Sequence, residues 1–111
     1  MHIVLHIGAA SAALLLTTAG LHADETGFAS SHDLRKEGGR LCMADHFHSG
    51  QGAGATKSAA TQAAIRSWAE FTDFEYGSSW ARYSLAAGKS THFTKEAKGW
   101  SAAVDARPCR G

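Results

Sequence analysis

Arg40-Leu41-Cys42-Met43-Ala44-Asp45-His46-Phe47-His48 runs directly into Ser49-Gly50-Gln51-Gly52-Ala53-Gly54-Ala55-Thr56, and where the strand stops within this stretch decides the fold. Through His48 the residues alternate. Leu41, Met43, Asp45 and Phe47 make one set; Cys42, Ala44, His46 and His48 make the other. Alternation with a period of two marks a strand, whose successive side chains face opposite ways. The first set is the more apolar, with Asp45 as its exception. From Ser49 to Thr56, three glycines in eight residues predict a flexible loop.

Downstream, Ser58 to Tyr76 reads as a helix. Alanines and unbranched polar residues fill its first half, and both tolerate helical backbone well. Ala64, Ile65, Trp68, Phe71, Thr72 and Tyr76 recur at spacings of three and four, which places them on one face. Ser58 can cap the start, and Gly77 can end the helix in a left-handed conformation. After Gly77 the period shortens. Trp80 to Ala86, Thr91 to Lys95 and Trp100 to Arg107 read as strands, with turns at Gly88-Lys89-Ser90 and at Glu96 to Gly99. Pro108, which has no amide proton, ends the pairing. The expected order is β-α-β-β-β: an α+β domain with one long helix packed on a small, mainly antiparallel sheet.

Upstream, Asp24 to Gly39 is polar and closes on a glycine pair, so it reads as a flexible leader or short helical turn. Met1 to Ala23 is an apolar run that ends in small residues, the pattern of a secretory signal peptide cleaved after Ala23 or after Gly20. Its first residues hold no Lys or Arg, only His2 and His6. The organisation expected is therefore a signal peptide over 1–23, a leader over 24–39 and one small domain over 40–111, periplasmic or secreted. A bilayer span needs about 20 apolar residues, and no segment after Ala23 supplies them.

With 11 basic and 10 acidic residues the chain carries a net charge of +1. Residues 89–111 are the basic end, with five basic and two acidic groups. A dense basic stripe is missing, so nucleic acid is not the expected partner. An envelope protein or small ligand is.

Cys42 and Cys109 are the only cysteines. In an oxidising compartment they are expected to pair, clasping the first strand to the end of the last. Neither sits in a Cys-x-x-Cys motif, so a redox role is disfavoured.

His46 and His48, two apart on a strand, would face the same way and could share a zinc or copper ion. Asp45 would point to the opposite face, so further ligands would have to come from His32 or His92. The competing reading is a pair of surface histidines beside a loop. Trp68, Trp80 and Trp100 are either core or a stacking platform for a ligand. Catalytic signatures are missing: there is no Gly-x-Ser-x-Gly, and the Gly50-Gln51-Gly52-Ala53-Gly54 run lacks the Lys-Ser/Thr sequel of a phosphate loop.

Three segments carry a resemblance. They are Cys42-Met43-Ala44-Asp45-His46-Phe47-His48-Ser49-Gly50, then Ala64 to Trp68 with Glu75-Tyr76-Gly77-Ser78-Ser79-Trp80, and the ending Gly99-Trp100 to Arg107-Pro108-Cys109-Arg110. Over about Arg40 to Arg110 the chain resembles a group of small exported bacterial proteins of no assigned activity. The resemblance implies export and a single domain. It also implies a further cysteine pair at about Phe93 and Ala102, residues that would here replace a staple by packing. The expectation is thus an exported binding or interaction module without catalytic activity. A metal-binding protein using His46 and His48 is the alternative, followed by an enzyme or enzyme inhibitor.

Overall fold

A computed structural model describes residues 25–111; the signal-peptide assignment to 1–23 lies outside the described residues. The fold is α+β, with one long helix and two antiparallel three-stranded sheets. The strands are β1 (Leu34–Glu37), β2 (Arg40–Met43), β3 (His48–Gly54), β4 (Ala87–Glu96), β5 (Gly99–Arg107) and β6 (Cys109–Arg110), and the helix α1 is Lys57–Tyr76. One sheet has the order β1-β2-β6 and the other β3-β5-β4.

The glycine-rich stretch is a strand, contrary to the loop expected from its composition. The strand expected over 40–48 ends at Met43, and after a short link β3 takes up His48 to Gly54. The reason lies in the helix. On β3, His48, Gly50, Gly52 and Gly54 face α1, whose facing residues include Ala59, Ala60, Ala63 and Ala64. A Cβ on Gly50 would lie 2.5 Å from the backbone nitrogen of Trp68, and one on Gly52 would lie 2.5 Å from Ala63 Cβ. Strand and helix backbones therefore meet almost directly, and only glycine permits that approach. Pairing with β5, from His48↔Ala106 to Gly54↔Trp100, offsets the entropy that three glycines lose on ordering.

Thr56 caps α1 two residues before the expected Ser58, its hydroxyl accepting from the Ala59 amide at 3.0 Å. Gly77 ends the helix at the expected position, but at φ 104° and ψ 165°, an extended positive-φ conformation rather than the left-handed helical one. Ala60, Ala64, Trp68, Ala86, Ala102, Val104 and Ala106 form the main core between α1 and the larger sheet. A second cluster of Ala29, Met43, Tyr76 and Trp80 lies under the smaller sheet.

The segment expected as a strand over Trp80 to Ala86 is two 3-10 turns, Ser78–Trp80 and Tyr83–Leu85. They send Trp80 into the second cluster and Tyr83 against the first. The expected turn at Gly88-Lys89-Ser90 is instead an irregularity inside the longer β4, with Gly88 at φ 63° absorbing the shift between Ala87 and Ser90. Phe93 and Ala102 stand directly opposite each other on β4 and β5.

Residues 25–39 are built into the fold. Their elements are a 3-10 turn, Phe28–Ser31, and β1, joined to β2 by Gly38-Gly39, both at positive φ as a two-residue hairpin loop requires. Thr26 donates through its hydroxyl to the Glu75 carbonyl at 2.6 Å. Pro108 breaks the ladder between β5 and β6 and so moves the chain from one sheet to the other. Beside it, the Cys42–Cys109 disulfide joins β2 to β6, as the cysteine pair predicts. No helix among the described residues is long and apolar enough to cross a membrane.

Candidate metal centre

The helix-facing phase of β3 places its first side chain, His48, against the last turns of α1, where it is 1% exposed. The ring stacks on Tyr76 at 4.9 Å between centroids and lies 4.4 Å from that of Phe71. Nδ1 is 2.9 Å from Thr72 Oγ1, and that hydroxyl donates to the Trp68 carbonyl at 2.7 Å. A hydroxyl has one hydrogen. With it committed to Trp68, Nδ1–H of His48 donates to Oγ1 and Nε2 keeps its lone pair. Nε2 is buried with no hydrogen-bond partner, 3.5 Å from Glu75 Oε2. Burial holds the His48 pKa down to about 4 although Glu75 pulls the other way, so the ring is neutral near pH 7. A buried lone pair thus faces a carboxylate oxygen. Two acceptors without a hydrogen between them repel, and a cation would turn that repulsion into attraction.

Other donors converge on the same place. His46, in the link between β2 and β3, has its ring 5.1 Å from that of His48. His32, which follows the Phe28–Ser31 turn, has its ring 4.5 Å from that of His46. Ligand atoms of His32, His46 and Glu75 all lie within 4.8 Å of one another. Tetrahedral ligands about 2.1 Å from an ion stand roughly 3.4 Å apart, so side-chain rotation would have to tighten the set. Tyr76 supports it from behind, with its hydroxyl 2.7 Å from His32 Nε2. Burial and the Glu75 carboxylate push the phenol pKa up, so the hydroxyl keeps its proton. In the tautomer whose Nε2–H donates to the Tyr76 oxygen, Nδ1 of His32 keeps the lone pair for an ion, the arrangement of ligating histidines braced through their other nitrogen. A pocket of about 270 Å³ lined by His32, Asp33, Asp45 and His46 opens the His32 and His46 side of the group to solvent. Two histidines and a carboxylate with an open mouth match zinc sites that keep a water position.

His46 and His48 are brought together as the sequence suggests, but not by strand alternation, because His46 lies outside β3. For the same reason Asp45 is not turned away and lines the pocket beside His46. Of the two histidines expected as further ligands, His32 joins the site. His92 lies on β4 opposite Ala103 and lines a different pocket with Gln51 and Thr94. Glu75 was legible only as part of the helix end; its spacing of three from Thr72 is the one sequence signal that ties it to the histidine.

The tryptophans form no platform. Trp68 and Trp80 are core side chains, and the Trp68 indole donates to the Ala106 carbonyl at 3.3 Å. Trp100 is half-buried against the main core, with the ammonium groups of Lys57 and Lys95 over its ring at 4.6 and 4.8 Å. Comparison with protein-family models, curated proteins and solved structures returned no match.

Proposed function

We propose that this chain is an exported binding module whose ligand is a zinc or copper ion held by His32, His46 and Glu75, with His48 as the buried nitrogen beside them. One observation carries the reading: the unpartnered Nε2 of His48 faces the Glu75 carboxylate at 3.5 Å next to two more imidazoles. Imidazole-rich donor sets select zinc and copper over magnesium and calcium, which prefer oxygen alone. The Cys42–Cys109 disulfide and the apolar Met1–Ala23 segment support an extracytoplasmic setting.

Isothermal titration of the oxidised domain with Zn²⁺ and Cu²⁺ tests the reading. One ion per chain is expected. The His46→Ala/His48→Ala double variant should lose binding, and Glu75→Gln and His32→Ala should each weaken it at least about tenfold. Because His48 is buried, the Glu75→Gln and His32→Ala variants decide the matter if the double variant unfolds. Unchanged affinity in both would overturn the assignment.

A further inference from the structure

A second concavity lies on the smaller sheet and shares no residue with the histidine site. It measures about 350 Å³ and is lined by Lys36, Gly39, Arg40, Leu41, Ser79, Arg82, Arg110 and Gly111. The register explains its cationic character. Lys36 pairs with Leu41, and Leu41 pairs with Arg110, so these three side chains stand in one row across β1, β2 and β6. The hairpin end contributes Arg40. The first 3-10 turn after α1 contributes Ser79, and the link to the second contributes Arg82.

Four of the chain's 11 basic side chains therefore line one pocket in a molecule of net charge +1, and no carboxylate side chain lines it. Their charges are only partly cancelled. Arg40 is held by neutral acceptors, donating to the carbonyls of Leu85 at 2.6 Å and Glu37 at 3.4 Å. Its direction is fixed while its charge stays. Arg110 reaches Glu25 at 3.4 Å and lies over the Trp80 ring at 5.5 Å. Glu25 also accepts from the Ser79 hydroxyl and, at 3.1 Å, from the Trp80 indole. That one rim carboxylate offsets one of the four charges. Among the described residues, Lys36 and Arg82 have no carboxylate within 4.0 Å.

Three of the four charges have no counter-charge beside them, so they repel one another and a bound anion would relieve that repulsion. Three guanidinium forks around one space match the oxygens of a phosphate, which they can bind in bidentate fashion, better than they match a halide. The volume reaches the size range of small-molecule sites, and Leu41 offers a carbon surface that inorganic phosphate would not use. We infer that this pocket binds the phosphate of an organic phosphate ester, with Arg40, Arg82, Arg110 and Lys36 on its oxygens and Leu41 against its carbon skeleton. Such a group belongs equally to a soluble phosphomonoester and to a phospholipid headgroup.

Titration of the oxidised protein with glycerol 3-phosphate, followed by NMR of the arginine side-chain N–H signals, tests the site. Sedimentation with phosphatidylcholine vesicles, with and without phosphatidylglycerol, forms the second arm; both run at ~0.15 M salt so that diffuse attraction is screened. Saturable binding of glycerol 3-phosphate assigns a soluble ester. Sedimentation only with phosphatidylglycerol assigns a headgroup. Either result should fall at least about tenfold in Lys36→Gln/Arg82→Gln, whose exposed side chains can change without unfolding the domain. Lys89→Gln/Lys98→Gln removes the same charge outside the pocket and should leave binding intact. The inference fails if glycerol 3-phosphate does not saturate by ~10 mM and no vesicle binds. It fails equally if the Lys89/Lys98 variant loses as much binding as the pocket variant.

Discussion

Arg107 shows how a single residue ties the molecule together. It is 8% exposed, yet its guanidinium donates to Glu37 Oε1 at 2.9 Å and to the Met43 carbonyl at 2.7 Å, joining β5 to both strands of the first hairpin. The hydrogen bond from Arg107 is the main reason the Glu37 carboxyl is held down to about 2. In the unfolded chain that carboxyl returns to its ordinary value near 4.5, so the unfolded state binds the extra proton first as pH falls. The pair's contribution is therefore full above about pH 4.5 and is lost as pH falls through about 2. Urea denaturation of wild type and Glu37→Gln across this window should show a steeper loss in the wild type; parallel curves would contradict it. His48 has an equally local signature. In metal-free protein its Nε2 should show the nitrogen chemical shift of an unprotonated ring position, with the proton on Nδ1. A protonated Nε2 would remove the facing pair of acceptors from which the metal proposal starts.

At the scale of elements, the contact between β3 and α1 governs the larger sheet. The Gly50, Gly52 and Gly54 series was legible as composition, but composition supports loop and strand alike. What separates them is the Ala59-Ala60 and Ala63-Ala64 surface, set one helical turn apart and able to receive a strand without Cβ atoms. Gly52→Ala should cost about 1–3 kcal/mol or more, because the new methyl meets helix backbone that cannot yield. Gln51→Ala, on the opposite face of the same strand, should stay within about 0.5 kcal/mol. Chemical denaturation of both variants checks the pair, and equal effects would refute the close approach. The helix itself was readable over nearly its whole length, because a 3.6-residue period over nineteen or twenty residues leaves little ambiguity. The segment Trp80 to Ala86 was not, because a short aromatic-bearing run reads alike as strand or as successive turns.

At the scale of the whole molecule, the two sheets are held together by the covalent continuity of β5, Pro108 and β6 and by Arg107, while the Cys42–Cys109 bond fixes β6 to β2 within the smaller sheet. That bond closes a loop of sequence separation 67. In the loop-entropy account this is worth roughly 4 kcal/mol, comparable to the net stability of a small domain. Ellman titration of denatured, unreduced protein should find no free thiol, and the reduced protein should unfold at a clearly lower urea concentration. Two titratable thiols per chain, or coincident unfolding curves, would show that the clasp is not formed or not needed.

Sequence by itself determined the α+β class, the helix with its glycine stop, the strand over Trp100 to Arg107 and the cysteine partnership. These rest on periodicities, on proline and glycine stereochemistry, and on there being a single intramolecular way to pair two cysteines. Only the tertiary structure decided that the glycine run is a strand, that the sheet is two sheets, and which residues meet His46 and His48. Those outcomes depend on contacts between residues far apart in the chain. His32 and Glu75 are separated by more than forty positions and share no pattern, and the row of Lys36, Leu41 and Arg110 exists only through strand register. Local pattern records what a residue favours; the side chain it finally faces is set by packing.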